Sequence, residues 1–299
     1  MDHPKGAYIQ LHIAVFLFGF TAILGKAIQM TFVEIVWYRL LITCLSILFL
    51  PEIFKKLRAV PRKQWWQLAG IGILVSLHWI CFYGSIKYSN VTVALSVLST
   101  AAFFTSIIEP IIYRTKIKKY EILLGLLIVP GMYLIFSFGK FYMTGIILGL
   151  IAALLAAVFS VLNRKMVEKH KPMAITFIEL SSGFVFISLL LPLYLYYFPE
   201  TDFIPTTFDL VNLLVLAIVC TTLAYVLSLN ALKHLTAFTS TLTVNLEPVY
   251  GIIMAIFIFK ENEDLDWKFF IGTAIILIAV FVHPMVHKKY NKKPVLPQQ

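Results

Sequence analysis

The sequence predicts an all-α integral membrane protein of ten transmembrane helices, arranged as two inverted five-helix repeats with both termini in the cytoplasm. Three observations predict this fold class. Of the 299 residues, 60% are hydrophobic and 13% are charged, whereas soluble domains have about 45–50% apolar and about 25% charged residues. Ten apolar stretches are long enough to cross a bilayer, and the two halves of the chain resemble each other.

The ten helices follow from the apolar stretches, because a transmembrane helix needs about 20 mostly apolar residues. The longest connections between them are Pro51–Trp65 and Pro199–Thr207, which leaves no room for a separate soluble domain. The predicted helices are Ala7–Ile28, Phe32–Leu50, Trp66–Tyr88, Val91–Tyr113, Tyr120–Phe138, Thr144–Asn163, Ala174–Phe198, Phe208–Leu232, Ala237–Phe259 and Trp267–His283.

The basic residues set the orientation, because cytoplasmic loops carry an excess of Lys and Arg. With the N-terminus inside, 19 of the 25 Lys and Arg residues fall on cytoplasmic segments, and Arg39 lies within the second helix. The net charge of +10 is therefore spread over short loops, which argues against nucleic-acid binding. We expect the protein in the inner (plasma) membrane. The three cysteines fall inside apolar stretches without a CxxC pair, so we expect no metal site, and we expect no cofactor.

The repeat is visible around the ninth helix. The segment Gly84–Leu98 aligns with Asn230–Val244 at a constant shift of 146 residues, which also matches Ser99 with Asn245. Five helices is an odd number, so the second copy must be inverted relative to the first, and the corresponding loops indeed carry opposite charge. The predicted units are a first repeat over 1–141, a second over 142–288, and a basic cytoplasmic tail over 289–299.

Inverted repeats of this kind are typical of secondary transporters, which work by alternating access around a site near the midplane of the membrane. The phosphate-binding motif GxxxxGK[ST] does not occur. A membrane-embedded enzyme acting on lipid or prenyl groups would need clustered acids or histidines, and the seven His residues are scattered. A passive channel remains open at this point.

Five motifs resemble the drug/metabolite transporter (DMT) superfamily, and within it the EamA-type ten-helix permeases. They are FGFTAILGKA (Phe18–Ala27), the pair Tyr38–Arg39, FYGSIKYSNVTVA (Phe82–Ala94), NLEPVYGIIMAIFIFKE (Asn245–Glu261) and FIGTAIILIAV (Phe270–Val280). The resemblance implies a permease for small-molecule metabolites, commonly an exporter of amino acids, as a monomer or homodimer. It also implies that helices 1, 3, 4, 6, 8 and 9 line a central cavity. Import or facilitated diffusion of the same substrates is the alternative.

The fourth helix carries a row of small and polar residues on one face. This row is either a polar cavity wall or a surface for close helix packing, and both interpretations stay open. Members of the family often carry Pro where this chain has Ala102, and Pro110 follows eight residues later, which predicts a displaced kink. The row consists of Thr92, Ser96, Ser99, Phe103 and Ser106.

Polar and aromatic residues deep in the apolar stretches are the candidate substrate-binding residues. A buried His can bind substrate, exchange a proton or hold a neighbouring helix, and aromatic rings can stack on a substrate or simply fill the core. The candidates are His78, Trp79, Tyr83, Ser99, Phe103, Asn163, Tyr225 and Asn245.

Three further candidates, Glu247, Arg39 and Glu179, carry charge into the membrane. Glu247, followed by Pro248, is either a gating group that exchanges a proton as counter-ion or a fixed strut at a helix kink. Arg39 and Glu179 occupy related places in the two halves. Since an intramembrane Arg needs a partner, we expect a structural ion pair between them, with a substrate carboxylate as the alternative partner of Arg39.

Overall fold

The structure is a computed structural model that describes residues 4–50, 53–136, 142–199 and 203–260, together with single helical positions between 267 and 286. Within these ranges every regular secondary-structure element is a helix. Seven described helical spans, three of which join helices that are numbered separately below, are long and apolar enough to cross a membrane. The predicted class, a multi-pass all-α membrane protein, is confirmed.

The helix bounds follow the predicted spans closely. The helices are α1 Pro4–Ala27, α2 Phe32–Leu48, α3 Ile53–Arg58, α4 Arg62–Tyr88, α5 Val91–Leu98, α6 Ala101–Tyr113, α7 Lys119–Phe136, α8 Met143–Val167, α9 Pro172–Tyr197, α10 Thr207–Ala217, α11 Ala224–Leu232, α12 Ala237–Val244 and α13 Glu247–Phe259, with a π-helical segment, Ile218–Leu223, between α10 and α11. The short helix α3 occupies the longest predicted loop. Seven of the 17 positions of the predicted tenth helix, and the whole of the 289–299 tail, lie outside the described residues.

Side-chain caps fix where several helices begin. At α2 the Thr31 hydroxyl accepts from the backbone of Glu34, and the Glu34 carboxylate accepts from the Thr31 N–H at 2.7 Å. This reciprocal pair satisfies two backbone donors that a helix start leaves open. Asn90 and Thr236 cap α5 and α12, each accepting from the backbone N–H three residues later.

Two of the transmembrane helices are broken, and the breaks match. Adding 146 to the bounds of α5 and α6 gives the bounds of α12 and α13. Both broken helices end at a residue in the left-handed region, Arg114 and Lys260, each with φ of 54°. The alignment found in the sequence therefore extends to the helix ends and to the interruptions.

The first break does not follow the proline. It lies at Ser99 and Thr100, whose hydroxyls donate to the carbonyls of Ser96 and Val97, whereas Pro110 lies inside the continuous helix α6. The predicted displaced kink is wrong. Hydroxyl bonds back to the preceding turn favour local bends in a membrane helix, and here they coincide with the end of α5.

The two halves are interlocked rather than side by side. The first helix, α1, packs against α11 and α13, while α8, which begins the second half, packs against α4, α5 and α6. Helices α2 and α9 also contact each other across the halves. The contacts between the halves leave a cavity where the two broken helices meet.

Candidate functional site

A buried cavity of about 130 Å³ lies at the breaks of the two broken helices. Its wall is contributed by both halves and combines aromatic, hydroxyl and charged side chains. The family resemblance implied a wall of helices 1, 3, 4, 6, 8 and 9. The observed wall also includes the second transmembrane helix, α2, which contributes Arg39. The lining residues are Phe18, Thr21, Arg39, His78, Trp79, Phe82, Leu98, Ser99, Ala101, Ala156, Phe159, Ser160, Thr221, Tyr225, Ser228, Ser240, Thr241, Val244, Asn245, Glu247 and Pro248.

The broken helices expose matching positions to the cavity. Ser99 and Asn245, which correspond in the repeat, both lie in the interruptions and both line the wall. The Asn245 side chain is buried, and its Nδ2 has no hydrogen-bond partner among the described residues. An amide donor without a partner is costly unless a ligand or water accepts from it. The break therefore holds a buried amide donor without a partner among the described residues, in a residue of the cavity wall.

Arg39 of α2 supplies the positive charge of the wall. Its side chain is buried, with Nε donating to Thr221 Oγ1 at 2.6 Å and one terminal nitrogen donating to the Tyr83 hydroxyl at 2.8 Å. The guanidinium also lies 3.8 Å above the centre of the Trp79 ring. Three fixed contacts hold the planar group in one orientation, and a guanidinium so held can bind a carboxylate through its remaining N–H groups.

The π-helical segment brings Thr221 to this position. The Thr221 hydroxyl donates to the carbonyl of Leu216, five residues earlier, at 2.6 Å while it accepts from Arg39. A π-helical turn places residues differently from an α-helix, and such turns are frequent at functional sites. The local irregularity of this helix is therefore part of the site.

His78 of α4 also lines the cavity. Its Nδ1 bonds the carbonyl oxygen of Ala152 at 2.8 Å, and because a carbonyl only accepts, Nδ1 carries the proton of the neutral ring. Its ring is stacked with Phe82 and meets Phe159 edge-on. The other nitrogen, Nε2, is then the acceptor of the neutral imidazole.

Glu247 begins α13, and Pro248 follows it within the first turn. The first turn is where a missing N–H costs nothing and where a carboxylate interacts favourably with the helix dipole. Glu247 is buried and lines the cavity, and Arg39 is the charged group that acts electrostatically on it. One cavity thus holds a positive and a negative side chain.

Three predicted residues lie outside the cavity wall. Tyr83 is fully buried behind Arg39. Phe103 packs against α7, since a Cβ on Gly125 would lie 2.7 Å from the Phe103 Cα. Asn163 is buried and donates to Glu179 and Tyr225. Of the eight candidate substrate-binding residues, the structure brings five to the cavity: His78, Trp79, Ser99, Tyr225 and Asn245.

The structure does not bring Arg39 and Glu179 together. Arg39 is bonded as described above, and Glu179 accepts from Tyr225 at 2.6 Å and from Asn163 at 3.2 Å. The expected ion pair is absent from the salt bridges between the described residues. Arg39 does not pair with Glu179 because the π-helical segment places a neutral acceptor, the Thr221 hydroxyl, next to the Arg39 guanidinium.

Several wall residues escaped the sequence analysis. The hydroxyl residues Ser160, Ser228, Ser240 and Thr241 are polar positions in apolar stretches, and Ser240 falls inside the aligned repeat, so the repeat could have pointed to it. Thr221 carried no such signal. Within the described residues, no group of three His, Cys, Asp or Glu side chains could hold a metal ion.

Comparisons with known proteins agree with this architecture. The model of the EamA-like transporter family matches residues 5–137 and, a second time, residues 143–283. The chain is similar to the uncharacterized transporter YetK of Bacillus subtilis, with 27% identity over 302 residues that cover 97% of this chain and 90% of that protein. It is also similar to an uncharacterized transporter of Clostridium kluyveri, with 26% identity over 259 residues and 82% of each chain covered.

A solved crystal structure shares the fold. It superposes on 96% of this chain and 99% of its own with a TM-score of 0.71, at 14% sequence identity. At this identity the similarity shows the arrangement of the helices only, and the function has to be argued from the residues of the site.

Proposed function

Since this chain belongs to the EamA-like transporter family, we propose that it is a secondary transporter that exports small amino acids or related metabolites by alternating access. The observation that carries the proposal is that Arg39 and Glu247 both line one small buried cavity. An amino acid is a zwitterion, and a wall with one fixed cation and one carboxylate is complementary to it.

Each end of such a substrate has a partner of suitable chemistry. The substrate carboxylate binds the guanidinium of Arg39, because Arg presents a planar fork of donors to two oxygens. The ammonium group binds Glu247, and the Asn245 amide donates to a substrate oxygen. The volume of about 130 Å³ favours a compact substrate, since pockets for drug-sized ligands measure about 300–1,000 Å³.

We further propose that the two halves are inverted repeats, over 1–141 and 142–288, with both termini in the cytoplasm of a cell whose plasma membrane holds the protein. Supporting this, the family model matches twice, the broken helices correspond at a shift of 146 residues, and basic residues concentrate on one set of loops. Two inverted copies can exchange conformations, which opens the shared cavity to each side in turn.

Purified protein in liposomes tests the proposal. We expect efflux of one or more radiolabelled neutral amino acids from loaded vesicles, competed by the unlabelled compound and abolished in Arg39→Gln. Failure of every amino acid in the panel to move would overturn the substrate class. In cells, protection against toxic amino-acid analogues supports export, and heightened sensitivity would overturn the direction.

Proton exchange through Glu247 or His78 stays a prediction. If either group carries the counter-ion, Glu247→Gln or His78→Ala should flatten the dependence of transport on pH. Unchanged transport and unchanged pH dependence in both variants would contradict a coupling role for these cavity residues.

A further inference from the structure

A second polar cluster lies directly behind the cavity wall. It consists of Glu179 on α9, Asn163 on α8 and Tyr225 on α11, with Glu179 fully buried and Asn163 1% exposed. Both the Tyr225 hydroxyl, at 2.6 Å, and the Asn163 amide, at 3.2 Å, donate to the same carboxylate oxygen, Oε2. The amide also donates to the Tyr225 oxygen at 3.1 Å.

Two oxygens of this cluster are left without partners. Glu179 Oε1 and Asn163 Oδ1 are both buried and accept no hydrogen bond from the described residues. Both are acceptors, so a donor is missing from the cluster. A proton on Oε1 would supply one, because a protonated carboxyl gains an O–H group.

No cation compensates the carboxylate among the described residues. The buried charged and titratable side chains of the helices packed against α9 are Glu34, Arg39 and Cys44 of α2, His78 and Tyr83 of α4, and Tyr225 of α11, and Cys81 of α4 is half-buried. Glu34 caps its own helix, Arg39 bonds Thr221 and Tyr83, and His78 bonds a carbonyl. The basic residues of α3 and of the end of α8 lie at helix ends and are half-buried or exposed.

An ionised carboxylate with only neutral partners is unfavourable at membrane depth, because burial removes the water that would solvate its charge. The neutral carboxyl avoids that cost and uses the donor that the cluster lacks. We propose that Glu179 is a proton-binding site of the transport cycle, loaded with one proton in this conformation. This rests on the proposed transport function and names the group that holds the counter-ion.

Tyr225 connects the site to the cavity. This tyrosine both bonds the carboxylate and lines the cavity wall. On unloading, the O–H bond of the Glu179 carboxyl breaks, the proton passes to water in the opened cavity, and the carboxylate keeps the hydrogen bonds from Tyr225 and Asn163.

Infrared difference spectroscopy of the protein in lipid tests the site without any substrate. We expect the C=O stretching band of a protonated carboxyl in the wild type, and its loss in Glu179→Gln. Tyr225→Phe should shift the frequency of that band, because it removes a hydrogen bond to the carboxyl. Glu109→Gln serves as the control that leaves the band in place. A wild-type spectrum with no band sensitive to Glu179→Gln overturns the proposal.

Transport supplies the second measurement. With an equimolar mixture of neutral amino acids as probe, Glu179→Gln should lower amino-acid-driven proton flux at least tenfold while exchange of labelled for unlabelled amino acid continues. Glutamine has the shape of the protonated carboxyl, so a folded variant is expected and its elution profile checks it. Proton flux equal to that of the wild type overturns the proposal. If the wild type moves no amino acid, the transport function fails, and the infrared band still decides the proton site.

Discussion

Arg39 is the residue on which the substrate proposal depends most. Its two hydrogen bonds and its contact with the Trp79 ring use the shape of the guanidinium as well as its charge. Lysine is a point charge on a flexible chain and cannot bond Thr221 and Tyr83 while facing a carboxylate.

We therefore expect Arg39→Lys to raise the KM for amino-acid transport at least about tenfold, since a hydrogen bond to a charged group contributes about 1.5–3 kcal/mol. The measurement is initial-rate transport in liposomes. Arg58→Lys, on the exposed surface of α3, is the matched control. An unchanged KM would mean that Arg39 only supports the fold.

The predicted residues that the structure places at the cavity are those for which polarity alone was the signal. Asn245, Glu247 and His78 stand out as polar side chains in apolar helices, and all three line the cavity. Phe103 was placed on the same face as Ser99 by helical spacing, but α5 ends at Leu98 and the next helix follows another phase. The partner of Arg39, Thr221, lies in the π-helical segment, and no pattern of residues in the sequence predicts that segment.

At the scale of the helix, the π-helical segment gives a sharp comparison between neighbours. Thr221 and Thr222 both donate to carbonyls five residues earlier, but Thr221 alone of the two contacts Arg39 and lines the cavity.

Thr221→Val should raise the KM for transport by about tenfold, because it removes the acceptor of the Arg39 Nε and frees the guanidinium to turn. Thr222→Val should change the KM by less than twofold. Both variants lose one side-chain bond to the backbone, so melting temperatures measured in parallel separate stability from binding. Equal KM effects would show that the segment matters only for helix stability.

Glu109 couples a helix of each half. It belongs to α6, and its carboxylate accepts from the backbone N–H groups of Ala237 and Phe238, at 3.1 and 2.7 Å, in the first turn of α12. Arg164 lies 4.0 Å from the same carboxylate. The contact is thus an N-terminal cap supplied by another helix.

Removing such a cap costs about 0.5–2 kcal/mol, so we expect Glu109→Ala to lower the melting temperature by a few degrees and to increase labelling of a cysteine placed at Ala237. Scanning fluorimetry and maleimide labelling measure the two effects. Glu168→Ala, an exposed acid just after α8, is the control. A melting temperature equal to that of the wild type would show that water replaces the cap without loss.

At the scale of the whole molecule, the proposed inversion makes a prediction about sidedness. Arg114 and Lys260 end the two broken helices and correspond in the repeat. The loop at Lys116, just after Arg114, and the end of the second broken helix at Lys260 should therefore lie on opposite sides of the membrane. In a protein with Cys44, Cys81 and Cys220 replaced by serine or alanine, Lys116→Cys should react with an impermeant maleimide only from the cytoplasm. Lys260→Cys should react only from outside, and labelling of both from one side would exclude inversion.

The whole fold was more predictable than the site. The lengths of the apolar stretches were enough to place nearly every described helix within a few residues, and the alignment at a shift of 146 residues related the two halves. The reason is that the bilayer fixes the length of a span and requires its backbone hydrogen bonds to be made within the helix. The packing between halves was not readable, since lipid-facing and protein-facing residues are equally apolar.

The exchange of packing partners between α1 and α8 has a genetic consequence. A gene severed in the codons for 137–142 would produce two polypeptides, each deprived of the helix that seals its own broken helix. Neither fragment alone should accumulate in cells, whereas their joint synthesis should restore a working carrier. The two halves would then be obligate partners, although a single gene encodes both.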